Sequence, residues 1–456
     1  MIEGSFKSGG WLRRGMGVAA AVAVMATAGC DELLSVDTPG QVAAGDLEVP
    51  VVADLMVTSA ISDLECAWNQ YTAGASVHSD EYIHSTGNLA LRDWATRKMR
   101  SDDPGFAQGT CGSWVFPSYT PLHTARFQTN DVLRRLESEA WTDVPDRLGK
   151  MATMRAYGGF ALVALGEGYC EMSVPLEEGT PGPLMTPSQV LELAEGYFDD
   201  AITMADQAGN DDIRNLALVG RARVRLNLGD FGGVIDDASL VPAGYLKEAS
   251  RDGSDSRRFN YNFERNNALS GFRQNASVAN HYRNLTIDAE GRPTEGDGVP
   301  DPRVEVWTEG NNGTDGTTEH WIHGKYTSRG DPIPIASYRE AQLFLAEAHI
   351  RDGNIGDGVA IIDARRVELG LPQVTYDPGP DEALVLVLEE RRRDLFLEGG
   401  HRFNDMLRFR GTQFQIPFLG EPGSIHPNGV DQAGLEYGDA TCLPLPDLER
   451  SGNPNI

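Results

Sequence analysis

Positive charge is scarce in this chain. Its 456 residues carry 39 Lys and Arg against 67 Asp and Glu, a formal net charge of −28, and no basic block offsets the balance. Nucleic acid is excluded as a partner, because binding it requires a positive face. Such acidity favours solubility and fits an exposed protein. Long apolar runs are also missing, and beyond residue 30 no segment is apolar enough to span a bilayer. Cysteine is sparse, and no two of the five lie within zinc-knuckle spacing. The chain has no His-Glu-x-x-His, no Gly-x-Ser-x-Gly and no P-loop. His78 and His84 have the wrong spacing for one helical turn, and His320 and His323, in a strand-like piece, are expected on opposite faces. The acidic turn at 297–301 offers too few ligands for an EF-hand-type loop. The expectation is therefore a protein with no metal, no cofactor and no catalytic group of its own.

What is present begins at the N-terminus. Lys7, Arg13 and Arg14 precede an apolar, Ala-rich run at 16–28, which is too short to span and reads as a signal peptide over 1–29. Ala28-Gly29-Cys30 resembles a bacterial lipobox, with Thr27 where Leu is usual, and implies lipidation of Cys30. Residues 30–46 then form a lipid-anchored tether. Cys66, Cys111, Cys170 and Cys442 remain, an even number that favours disulfides in an exported protein. Three pairings are possible. Cys66 with Cys111 is preferred on proximity, which leaves Cys170 with Cys442.

Most of the rest reads as helix. A first helix is expected over 47–64, a pair over 119–140 and 144–166, and a further one from Pro187 to about 207, with Thr186 as its N-cap. Gly158, Gly159, Ala161 and Ala164 would let two helices approach closely. Helices follow at 211–228 and 232–240, and the Gly229-Asp230-Phe231 turn between them resembles that of a tetratricopeptide repeat. A second such turn lies at Gly353-Asn354. The spacing is irregular, so the scaffold expected is a stack of degenerate helix pairs. Two stretches break the pattern. Residues 66–118 scatter aromatics among polar residues, and 242–334 is a loop-rich insertion with strand-like pieces at 304–307 and 320–326. Trp68, Trp94, Trp114, Trp307 and Trp321 form the pool from which ligand contacts are expected.

The C-terminal part is the most specific. A helix is expected over 335–350 and another over 383–398, ended by Gly399 and Gly400. Leu384, Leu388 and Leu395 share one face of the latter, and Arg391 falls on that same face. A charge there needs a fixed partner, and Glu347 is the candidate. Glu347, Glu390, Arg391, Arg392, Glu398, Arg402 and Asp405 are expected to form a structural ion-pair network.

Glu390-Arg391-Arg392, Leu395-x-x-Glu398-Gly399, Arg402-x-x-Asp405 and Leu407-Arg408 resemble the C-terminal signature of the RagB/SusD family. Asp301-Pro302-Arg303, the helix from Tyr338 through Glu347, the stretch from Ile361 to Leu371 and the terminal Asn453-Pro454-Asn455 resemble further family elements. The resemblance implies a mainly α, SusD-like domain over 47–456, divided into a helical part with aromatic loops (47–241), the insertion (242–334) and the signature region (335–456). It also implies a cell-surface, outer-membrane nutrient-binding lipoprotein. Such a protein captures oligosaccharides or peptides for a SusC-like TonB-dependent transporter. The rival readings are a surface glycoside hydrolase and a structural tetratricopeptide-like envelope adaptor.

Overall fold

The computed structural model describes residues 47–113, 116–177, 179–267 and 274–456. The signal peptide, Cys30 and the tether lie outside them. Helix α1 (Ala53–His78) starts later than expected and runs much further. Its second half is buried on every side, from Ala67 to His78. A helix enclosed all round shows no amphipathic period, which is why the sequence there looks irregular.

Short helices α2 (Leu89–Ala95) and α3 (Pro104–Gln108) lead to the main stack. Helix α4 (Tyr119–Glu137) packs on α1, α5 (Arg147–Gly168) on α4 and α1, α6 (Pro187–Ala208) on α5, and α7 (Asp211–Leu228) on α6. Thr186 and Gln189 form a capping box at the start of α6. Small residues let these helices close. A Cβ on Gly159 of α5 would lie 2.7 Å from the Phe198 ring of α6, and one on Gly220 of α7 would lie 2.3 Å from the same ring. Gly229, at φ +81°, ends α7, and the Asp230 carboxylate then accepts from the Gly233 N–H to start α8 (Phe231–Ala238).

A short helix α9 (Tyr261–Asn266) sits early in the insertion. Strand β4 (Leu246–Ala249) pairs antiparallel with β11 (Ile333–Ser337), so the two ends of the insertion are joined at its base. The other small sheets pair β1 (Tyr82–His84) with β5 (Ala276–Val278), β2 (Met172–Ser173) with β3 (Leu184–Met185), and β9 (Val306–Asn312) with β10 (Glu319–His323). Strand β6 (Leu285–Ile287) lies between β7 (Pro293–Glu295) and β8 (Val299–Pro300).

The helix expected from residue 335 begins only at Tyr338, because Ser337 ends a strand and caps α10 (Tyr338–Arg351) in a capping box with Glu340. Helix α10 packs on α7 and α8, and carries α11 (Ile355–Leu369) and α12 (Pro380–Asp394). Leu343, Ile350, Ile362, Leu384 and Leu388 form a second core among these three helices. Helix α12 stops at Asp394, short of the expected Glu398. Leu397, Gly399 and Gly400 turn through positive φ before α13 (His401–Arg408). Among the described residues, no helix is long and apolar enough to cross a membrane.

Candidate functional site

Three consecutive arginines leave α12 in different directions, because successive residues on a helix step about 100° around its axis. Buried Arg391 donates to Glu347 at 2.5 Å and to Asp405 at 2.8 Å, and Arg408 reaches the same two acids at 2.8 and 3.0 Å. Burial opposes charge on Glu347, but Arg408 and Arg391 outweigh it and hold the carboxyl well below its usual range. Arg392 bonds to Glu389 at 2.8 Å, and Arg393 to Asp301 at 3.1 Å.

The expected single network is in fact several. Glu390 accepts from Arg303 at 2.6 Å and from Arg366 at 2.7 Å. Glu398 pairs with Lys325. Arg402 does not meet Asp405: its fork closes on Asp80, at 2.7 and 2.5 Å. Burial opposes charge on Asp80, and Arg402 and His281 overcome it, so its carboxyl stays ionised far below the usual range. Among the partners that sequence reasoning left out are Asp80, Asp301, Arg303, Lys325, Arg366, Asp394 and Arg408. Only tertiary contact pairs them, although Arg303, Arg366 and Arg408 each lie in or beside a quoted motif.

Above these pairs, a cleft of 520 Å³ opens between the β4–β11 pair and helices α10, α11 and α12. Leu246, Tyr338, Arg339, Gln342, Arg365 and Glu398 are among its walls. A second chamber of 290 Å³ shares Arg339, Arg365 and Asp394 with it and adds Arg303, Glu305 and Lys325. Arg365 is bound to Asp394 and Glu368. Arg339 differs: its side chain is 55% exposed and its pairing with Asp394 is loose, at 4.0 Å. It therefore retains donors for a ligand in either chamber.

The tryptophan pool does not converge. Trp68 is fully buried, donates its indole N–H to the Pro334 carbonyl at 2.8 Å and meets Phe160 edge-on. Trp94 is likewise buried, between Phe106 and Phe116. Both are core residues of helices, Trp68 on α1 and Trp94 on α2, and are removed from the pool. Trp114 lies outside the described residues. Trp307 and Trp321 are on the β9–β10 hairpin, but Trp307 is opposite Ile322 whereas Trp321 is opposite Thr308, so the two rings face opposite sides. Trp321 is half-buried under Arg283, 4.6 Å from its ring, and donates to Glu319 at 3.0 Å. Trp307, at 40% exposure, presents its ring to solvent. His320 and His323 of the same strand are both buried.

The disulfides are Cys66–Cys111 and Cys170–Cys442, with Cα atoms 5.8 and 5.2 Å apart.

No family model and no curated protein matches the chain in sequence. Solved structures do match. A SusD-like carbohydrate binding protein from Bacteroides vulgatus superposes with a TM-score of 0.67 at 12% identity, over 90% of this chain and 97% of that one. A SusD superfamily protein from Bacteroides thetaiotaomicron gives 0.62 at 15% identity, over 90% and 99%. The chain has the SusD-like fold. A laminarin binding SusD-like protein also matches, with a TM-score of 0.52 at 15% identity, over 87% and 97%. Within this SusD-like fold, residues from the quoted motifs (Arg303, Arg339, Arg365, Glu390 and Glu398) come together at the two chambers, although 95 positions separate the first from the last.

Proposed function

We propose that the chain is a RagB/SusD-type lipoprotein, anchored to the outer membrane through Cys30 and exposed at the cell surface. It binds oligosaccharide and passes it to a SusC-like TonB-dependent transporter. One observation carries this reading: the SusD-like fold extends over 90% of the chain, in common with a carbohydrate binding protein. The exposed Trp307 ring offers an apolar face for a sugar ring, and Arg339 offers donors for hydroxyls. Because the transporter does the work of uptake, the chain needs no catalysis. The cleft supports that part of the reading. Glu368, Glu390, Asp394 and Glu398 are each already bonded to arginine or lysine, whereas a glycosidase needs one carboxyl free to protonate the leaving group.

The test is calorimetric titration of the full-length protein with a panel of neutral oligosaccharides and short peptides, with the Trp307→Ala and Arg339→Ala variants alongside. At least one oligosaccharide should bind, and loss of the contacting side chain should weaken it about tenfold or more. Binding of peptides alone, or of nothing in the panel, would overturn the carbohydrate reading. Delivery is checked by purifying the anchored protein from membranes in mild detergent: a large β-barrel protein should come with it, and its absence would refute the transporter partnership.

A further inference from the structure

Every large buried arginine in the C-terminal half considered above has an acid of its own. Arg126, on α4, does not. The residue is only 8% exposed, and its Nε has no acceptor. Among the described residues, no carboxylate pairs with it, although its neighbours are well supplied. Arg134 and Arg135 both hold Asp131, at 2.5 and 2.9 Å, and Arg155 holds Asp200 at 3.2 Å. His123, one turn before Arg126, is no counter-ion either. Burial and the Arg126 charge push it down to about 3, so it is neutral at ordinary pH. An uncompensated buried guanidinium is costly to the fold.

Arg126 is also not sealed in. It lines two adjoining cavities of 390 and 490 Å³, which share Arg126, Phe127 and Pro175. Neither shares a lining residue with the cleft above α10–α12. Each is large enough for one or two sugar rings. Phe127 is 43% exposed at the mouth and offers an aromatic edge. The Tyr197 hydroxyl donates to the Asn130 carbonyl oxygen at 2.9 Å, which leaves the Asn130 amide N–H groups for a hydroxyl. The arrangement combines a planar fork that no carboxylate among the described residues pairs with, an apolar ring and a free amide; the walls also carry Asp131, held by Arg134 and Arg135, Glu137, and Glu449, which accepts from the Tyr119 hydroxyl. The fork, ring and amide match a ring-shaped ligand that carries one carboxylate.

We propose that Arg126 anchors a second ligand site, which takes the carboxylate of an acidic saccharide such as a hexuronate unit. The guanidinium would close on the carboxylate with two parallel hydrogen bonds, and the sugar ring would lie against Phe127. This site stands on α4 and its surroundings, whether or not the cleft or Trp307 binds a neutral glycan.

The test is titration of the full-length protein with trigalacturonate and, in parallel, with its fully methyl-esterified form, which keeps the shape and removes the charge. The acid should bind about tenfold or more tightly than the ester, the scale of one charge-assisted fork. Arg126→Gln should abolish that preference, whereas Trp307→Ala should leave it intact. Equal binding of acid and ester, binding of neither, or a preference that survives Arg126→Gln would overturn the proposal. If Arg126→Gln does not fold, the natural protein still decides: its Tm should rise with the acid and not with the ester at equal concentration, and equal shifts would count against the site.

Discussion

Glu81 shows how far a single buried group can depart from what its neighbours in sequence suggest. It is almost completely enclosed, and its carboxyl accepts from the Leu397 N–H at 2.8 Å. Burial pushes its pKa up, to about 7 from an ordinary 4.5. A carboxyl raised in the folded state contributes stability below pH 4.5 and loses it as pH rises through 7. Glu81→Gln keeps the acceptor and removes the titration. Between pH 5 and pH 8 the natural protein should therefore lose on the order of 2–3 kcal/mol relative to the variant. Urea unfolding of both proteins at the two pH values checks this, and parallel pH profiles would contradict it. Arg391 was easier to read, because its place on a leucine face requires a buried acid and Glu347 sits on a helix that also buries one face. Asp80 as the partner of Arg402 was not legible: the two are 322 positions apart and no local pattern links them.

At the scale of elements, legibility follows exposure. Helix α7 occupies the expected 211–228, since its caps are strong and Gly229 ends it with a left-handed turn. Helix α1 was misplaced because its buried half carries no polar face. The small residues of α5 mark a close approach, but the sequence does not name what approaches. Phe198 of α6 turns out to be held between Gly159 and Gly220. Gly220→Ala follows from that contact. Overpacking against the ring should cost about 1–3 kcal/mol, more than the helix-propensity gain of up to about 1 kcal/mol from alanine. Thermal or urea unfolding should show a net loss, and a stabilised variant would mean that Phe198 can move aside freely.

At the scale of the whole molecule, the C-terminal segment is tied back to the centre of the stack. Leu443 donates to the Gly168 carbonyl at 2.8 Å, the Cys170 N–H donates to the Leu443 carbonyl at 3.0 Å, and Cys170–Cys442 closes a separation of 272 residues. Cys66–Cys111 closes only 45. In the chain-entropy account the longer loop gains more, by about 1.5 kcal/mol. The double serine variant at 170 and 442 should therefore lose more stability in urea than the one at 66 and 111. Equal or reversed losses would show that native packing around each bridge, not loop length, sets the difference.

Local chemistry was sufficient for several conclusions. The charge balance argued against a nucleic-acid partner, the caps and glycines placed the exposed helices, and the C-terminal motifs pointed to the SusD-like fold that the structure has. These signals are carried by residues close together in the chain, where helix geometry and composition act directly. Which tryptophans are surface rings, which acid meets which arginine, and which cavities open were decided only by tertiary structure. Burial and pairing depend on segments hundreds of residues apart. Trp68 and Trp307 look alike in the chain, yet one bonds to Pro334 inside the core and the other stands on a hairpin in water.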